Sequence, residues 1–434
     1  MAAAFHPPAE IGREEIFRAS EGVLARPDIS FSETETILRI DAAGMEWDIG
    51  VMLYEPDREA DVPIGPDGRK IGVFLTHGGA SDWRSMEPLA RLLAGKLGYR
   101  IASMTYPGRL YLPDPSRDWP GDTIRGDGTV RTPIWLDGER IGDDEYEVVH
   151  DASMRARHGI RPNARARPGT RFHDRMASWP LAFEDAMKAV CRRYFPPEEY
   201  SIYVHGHSTG GPFVNMLSQR VDNVAGLIGV ENSPFGYIYR RMAGREWTGP
   251  FTDLLIRNWR EIARYRGAEA LKSEGPEALM SLAALMEDVL DEWSDSTRFP
   301  QFKAEYIVHY ACTPALEAAA EATAARLRLC PAAARELTQR YVGMGRELSG
   351  PGARPVPPLL FGITAYSRDH TAEKYRDIVV PAYRAMNPAP KIAVVQFGAG
   401  IHSYWAPEED LPMGTLPAVI RLWEDAISGG YFLV

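Results

Sequence analysis

The chain reads as an α/β protein, a mostly parallel sheet with helices on both faces, and three observations predict that class. Short apolar runs of strand length alternate with longer segments of helical spacing. Several of those runs are apolar throughout rather than at every second residue, the pattern of strands buried on both faces. Every residue with an evident chemical role falls just after such a run, at the strand end where sheets of this kind bind ligands. With 434 residues, 45% hydrophobic and 25% charged, the chain can bury a large core and suits a folded globular class.

Residues 1–30 mix Pro, Ala and charges and are expected to wrap the surface. Segments 36–40 and 47–54 flank Ala43-Gly44 and predict a hairpin of two strands. Residues 70–76 predict a central strand, which ends in His77-Gly78-Gly79. Leu89, Leu92, Leu93 and Leu97 predict a helix over 86–97, followed by a strand over 99–104 that ends at Tyr106-Pro107-Gly108. Residues 110–171 break this rhythm, and 132–141 are expected to form a hairpin turning at Asp137-Gly138. The alternation resumes with a helix over 179–194, a strand over 201–205, a helix after Gly211 and a strand over 225–230 that ends in Glu231-Asn232. Residues 236–350 carry helical periodicity only, at 254–265, 278–293 and 315–327. Strands over 359–365 and 391–397 and a helix over 416–427 complete the chain.

A formal net charge of -10 argues against attraction to nucleic-acid phosphates. Cys191, Cys312 and Cys330 have neither C-x-x-C spacing nor histidines at ligand spacing, so no zinc site or disulfide framework is suggested. The first ten residues lack a basic stretch followed by an apolar one, and no uncharged apolar run reaches the roughly 18 residues of a membrane span. These observations lead us to expect a cytoplasmic protein with a small-molecule substrate, no cofactor, no metal, and neither nucleic acid nor membrane as partner. Self-association is left open.

Gly206-His207-Ser208-Thr209-Gly210 follows the strand 201–205 and fits the G-x-S-x-G elbow, the turn that lifts a serine hydroxyl above a sheet edge. A serine hydroxyl needs a base within hydrogen-bond reach, a carboxylate to orient the base, and donors for the oxyanion. The base candidate is His402, one short loop after the last strand, ahead of His77, His205, His207, His309 and His370. The first carboxylate candidate is Asp369, just past the strand 359–365; Glu231 is the alternative, and Glu373 ranks behind both. Glu231 has a plain structural role open to it as well, closing its strand or anchoring a hinge. The glycine turn at His77-Gly78-Gly79-Ala80 can aim a backbone N–H at an oxyanion.

Together, His77-Gly78-Gly79, Tyr106-Pro107-Gly108, Gly206-His207-Ser208-Thr209-Gly210-Gly211, Asp369 and Gly400-Ile401-His402 resemble the α/β-hydrolase fold family, in its order of serine, acid, histidine. The resemblance covers roughly 35–109, 172–235 and 355–430. It implies a core of 1–233 and 356–434, interrupted irregularly at 110–171, and a helical cap over 234–355 that roofs the site and selects the substrate. It further implies a serine hydrolase acting on an ester, lactone or amide. Ser208 would attack the carbonyl carbon, His402 would carry the proton, and the N–H groups of Gly79 and Thr209 would hold the oxyanion. Trp83, Trp405 and Tyr106 are candidates for substrate contact, with core packing as the plain alternative. The same fold also carries carbon–carbon bond hydrolysis, acyl transfer and lyase chemistry. A non-catalytic binding module would be expected to have lost the serine, histidine or acid, and here all three positions are filled. Seven arginines, at 155, 157, 161, 165, 167, 171 and 175, could steer an anionic substrate, but such a run is more often a solvated face or a subunit contact.

Overall fold

In the computed structural model, described for residues 5–42, 45–78, 83–105, 107, 142–156, 159–167, 170–208, 210–211, 221–232, 355–367, 372, 375, 380 and 389–434, the alternating apolar runs assemble into one large sheet. Its strands, in chain order, are β1 (Glu10–Ile11), β2 (Phe31–Ala42), β3 (Met45–Pro56), β4 (Lys70–Thr76), β5 (Arg100–Met104), β8 (Tyr200–Gly206), β9 (Val224–Val230), β10 (Leu359–Ile363) and β11 (Ile392–Phe397). A separate antiparallel ribbon is formed by β6 (Tyr146–Ala156) and β7 (Gly159–Ala166). The helices are α1 (Arg13–Leu24), α2 (Glu87–Leu97), α3 (Arg171–Tyr194) and α4 (Leu416–Ser428).

The nine strands lie in the order β1-β11-β10-β9-β8-β4-β5-β3-β2. Only β3 runs against the rest, pairing antiparallel with both β2 and β5. Apart from β1, this is the strand order of the α/β-hydrolase fold, with its second strand reversed. The chain steps from β4 to β5 on one side and later returns to β8 on the other, which makes the β4–β8 boundary the switch point where such sheets form their crevice.

Strand alternation sorts the core into two layers. Ile71, Val73 and Leu75 of β4 join α1, α2 and α4 in one continuous apolar cluster. On the opposite face Gly72 leaves room for the Phe195 ring, whose Cδ1 would stand 2.6 Å from a Cβ at that position. Phe195 directly follows α3, which buries Ala182, Phe183, Ala186, Met187 and Val190 at helical spacing and packs over β2, β3 and β5.

The structure changes some sequence expectations. Residues 1–30 do more than wrap the surface: β1 extends the sheet beside β11, and α1 buries Ile16, Ser20 and Val23 one turn apart. The hairpin strands run 12 residues each rather than stopping near the apolar stretch, because antiparallel pairing continues through the polar residues from Phe31↔Pro56 to Ala42↔Met45. The helix expected over 179–194 begins at Arg171. The hairpin expected at 132–141 and all of the expected cap, apart from residue 355, lie outside the described residues.

Candidate active site

Strand β8 ends at Gly206, and the chain reverses so sharply that a Cβ on Gly206 would stand 2.1 Å from the Gly210 carbonyl oxygen. Across the switch point, a Cβ on Gly210 would stand 2.5 Å from the His77 carbonyl oxygen, while Thr76 Oγ1 donates to the Gly210 carbonyl at 3.2 Å. Only glycine fits either position. Between them Ser208 adopts φ 52, the left-handed region that a serine enters at a cost of about 1–3 kcal/mol. The turn closes on Gly78, where a Cβ would come within 3.2 Å of Ser208 Cβ.

Among the described residues one other non-glycine has positive φ: Glu231, at 53, directly after β9. The two are joined by the backbone, since Ser208 N–H donates to the Glu231 carbonyl at 3.0 Å and Ser208 bridges in parallel to Asn232. Two strained residues linked in this way at adjacent strand ends are over-determined by the fold around them.

The Glu231 side chain is completely buried, so its carboxylate must find every partner inside the protein. Oε1 accepts from Thr364 N at 2.8 Å and Thr364 Oγ1 at 2.9 Å. Oε2 accepts from Ser367 Oγ at 2.7 Å and from His402 Nδ1 at 3.0 Å. Donating Nδ1–H to the carboxylate fixes the neutral imidazole with its acceptor lone pair on Nε2, the form a general base requires.

His402 is held from the elbow as well. His207, the residue before Ser208, donates Nε2–H to the His402 carbonyl at 3.0 Å, and the two imidazole centroids are 4.7 Å apart. The Trp405 ring lies tilted against His207, centroids 4.9 Å apart, so this expected substrate contact lies next to the elbow. Trp83 instead packs within the main apolar cluster, only 6% exposed. His205, on β8, is fully buried: it donates Nδ1–H to the Ile228 carbonyl at 2.7 Å and receives the Tyr404 hydroxyl at Nε2, 3.2 Å away. Burial pushes its pKa down to about 4, which keeps it neutral and makes it a structural member of the core. His77 is buried and donates Nδ1–H to the Gly78 carbonyl at 2.7 Å, tying down the glycine turn.

The structure therefore ties Glu231, the alternative acid of the sequence reading, to His402 through its carboxylate and to Ser208 through the backbone. Asp369, the first-ranked acid, lies outside the described residues, as do Gly79, Thr209 and Tyr106. Thr364 and Ser367 were missed by sequence reasoning. They follow β10 in the very loop searched for a carboxylate, but a hydroxyl there carries no motif. In the β6–β7 ribbon the backbone register sets Arg161 opposite Asp151 and Arg165 opposite Glu147. Among the described residues no cluster of His, Cys, Asp and Glu could hold a metal ion, and no helix is long and apolar enough to cross a membrane.

No family model and no curated protein sequence matches the chain. Solved structures similar to it include a thioesterase domain from the curacin biosynthetic pathway, at 12% identity over 92% of this chain and 100% of that one, with a TM-score of 0.35. Carboxyl esterase 2 from the mycorrhizal fungus Tuber melanosporum aligns at 10% identity over 92% and 86%, with a TM-score of 0.38. Brefeldin A esterase, a bacterial homologue of human hormone sensitive lipase, aligns at 12% over 99% and 88%, with a TM-score of 0.37. At such values these likenesses do not bear on chemistry. The fold rests on this chain's own sheet order and elbow: it is an α/β-hydrolase fold.

Proposed function

We propose that this protein is a serine hydrolase that cleaves a carboxylic ester, lactone or amide of a small molecule through an acyl-enzyme. One observation carries the reading: Ser208 sits in a left-handed turn whose backbone is bonded to Glu231, the residue whose carboxylate holds His402. In this reading Ser208 Oγ attacks the carbonyl carbon as His402 Nε2 takes its proton. The negative charge that develops on the carbonyl oxygen is met by the backbone N–H groups of Gly79 and Thr209, each such donor contributing roughly 3 kcal/mol to the barrier. Collapse of the tetrahedral adduct breaks the bond to the leaving group, which receives the proton from His402. Water then attacks the acyl-serine as His402 takes its proton, and collapse of the second adduct releases the acid product as that proton passes from His402 to Ser208 Oγ.

The acid in this mechanism is Glu231, whose carboxylate is held in place beside the imidazole by Thr364 and Ser367. Side chains and backbone supply the whole reaction. A screen with nitrophenyl esters tests it: Ser208→Ala is expected to lower kcat on the order of 10³-fold or more, and a fluorophosphonate probe is expected to label Ser208 in the parent. A fully active Ser208→Ala protein, or a parent the probe does not label, would sink the reading. Adding acceptor alcohols to the same assay separates hydrolysis from acyl transfer on the same nucleophile.

A further inference from the structure

We propose that Ser367 is a positioning residue for the acid–histidine pair, aiming the Glu231 carboxylate at His402; this rests on the reading of Glu231 as the triad acid. Oε1 of Glu231 is pinned twice by a single residue, through the backbone and hydroxyl of Thr364. Pinning one oxygen leaves the other free to swing. Oε2, the oxygen that meets His402, is held on the protein side by Ser367 Oγ at 2.7 Å, closer than the 3.0 Å to the imidazole.

Ser367 has a reason to stay in register with the histidine loop. The segment after β10 is zipped to the segment after β11, Ala365 N donating to the Ala399 carbonyl at 3.1 Å and Tyr366 N to the Gly400 carbonyl at 2.9 Å. Tyr366 and Ile401 form a parallel bridge. The donor that aims the carboxylate and the histidine that receives it are thus carried on two loops joined by backbone bonds. A shift of either loop moves both partners of Oε2 together. A carboxylate held by His402 alone on that side would have only the histidine to define its plane, and misplacement by even 1 Å costs catalysis about 100-fold in comparable settings. Ser367 acts through its bond to the Glu231 carboxylate.

The test uses the full chain with Ser367→Ala, Ser367→Cys and Ser367→Thr. Two readouts are followed: kcat and KM on a nitrophenyl ester, and the low-field proton resonance of the His402 Nδ1–H···Glu231 bond, assigned by its loss in His402→Gln. Ser367→Ala is expected to lower kcat roughly 10- to 100-fold with KM within about twofold, and to broaden or shift the resonance upfield. Ser367→Thr, which keeps the hydroxyl, recovers most of both, and Ser367→Cys, a weaker donor, falls between. An unmoved resonance in Ser367→Ala and Ser367→Cys overturns the proposal whatever the activity does. A resonance that responds to Ser367 in a protein with no Ser208-dependent turnover keeps the positioning role and removes the hydrolase reading instead.

Discussion

Glu231 and His402 are neighbours, yet the protein holds them by opposite means. Glu231 ends a strand in the middle of the sheet, is wholly buried, and takes all its donors from uncharged groups of the adjoining loop and from His402. The His402 side chain is 20% exposed and rides on the loop between β11 and α4. That loop is tethered to the N-terminal segment: Gly398 N donates to the Ile11 carbonyl at 2.8 Å, Gly400 N to Glu408 Oε1 at 2.7 Å, and Arg13 Nη1 to Glu408 Oε2 at 2.9 Å. The carboxyl group is fixed where water does not reach, so its partners must be internal. The imidazole, proposed to exchange protons with substrate, keeps part of its surface exposed, and its loop is steadied from the chain's far end.

Mutations at the two sides should differ in size accordingly. The largest effect is expected from Glu231→Gln, a loss in kcat on the order of 10⁴-fold, since an amide N–H can donate to His402 Nδ1 and hold the histidine in the wrong tautomer; Asp369→Asn should stay within about threefold. Steady-state kinetics on both variants decide the point, and the reverse order would move the acid role to Asp369 and break the comparison. Next comes the elbow itself. Gly206→Ala forces a Cβ to 2.1 Å from the Gly210 oxygen, so a destabilisation on the order of 4 kcal/mol or more should appear in urea unfolding, or the protein should fail to fold.

A smaller effect belongs to the buried histidine between the two sides. Burial lowers His205 from 6.5 to about 4, so the unfolded chain binds the extra proton across that window and stability falls as pH drops through it, by roughly 3 kcal/mol in total. Stability measured at pH 7 and pH 5 should show a shallower fall in His205→Gln than in the parent; an identical fall would assign the pH dependence elsewhere. The smallest effect is expected on the histidine side, at the surface. Arg13→Ala removes an exposed partner of Glu408 and Asp410 and should change kcat by less than about threefold, an effect that high salt on the parent should reproduce. Glu408→Ala should cost more than Arg13→Ala, because it also strips the acceptor from Gly400 N.

Much of this arrangement was legible in the residues. The buried strands announced themselves by continuous apolar runs, β4 at its full span, and the elbow by glycines that a tight strand-to-helix turn demands. His402 could be read from its place after the last strand. The acid was harder. Glu231 and Asp369 each follow a strand, and nothing in a linear pattern says which loop turns its carboxylate toward a histidine 171 or 33 residues further on. The N-terminal helix was not read: Ile16, Ser20 and Val23 share a face, but the run is short and studded with charges that mask its period. Strand β1 had no signal at all: two residues become a strand only because β11 offers an open edge.

The sequence by itself determined the class of sheet, the order of its strands' chemical residues and the one turn where a serine is forced above the edge. These depend on local properties: apolar period, glycine at a bend, a motif after a strand. Only the tertiary structure decided the pairing of Glu231 with His402, the aim that Thr364 and Ser367 impose on that carboxylate, and the N-terminal segment's hold on the histidine loop. Each of those joins residues far apart in the chain, and a hydrogen bond over such a distance exists only once the sheet has set its strand ends side by side.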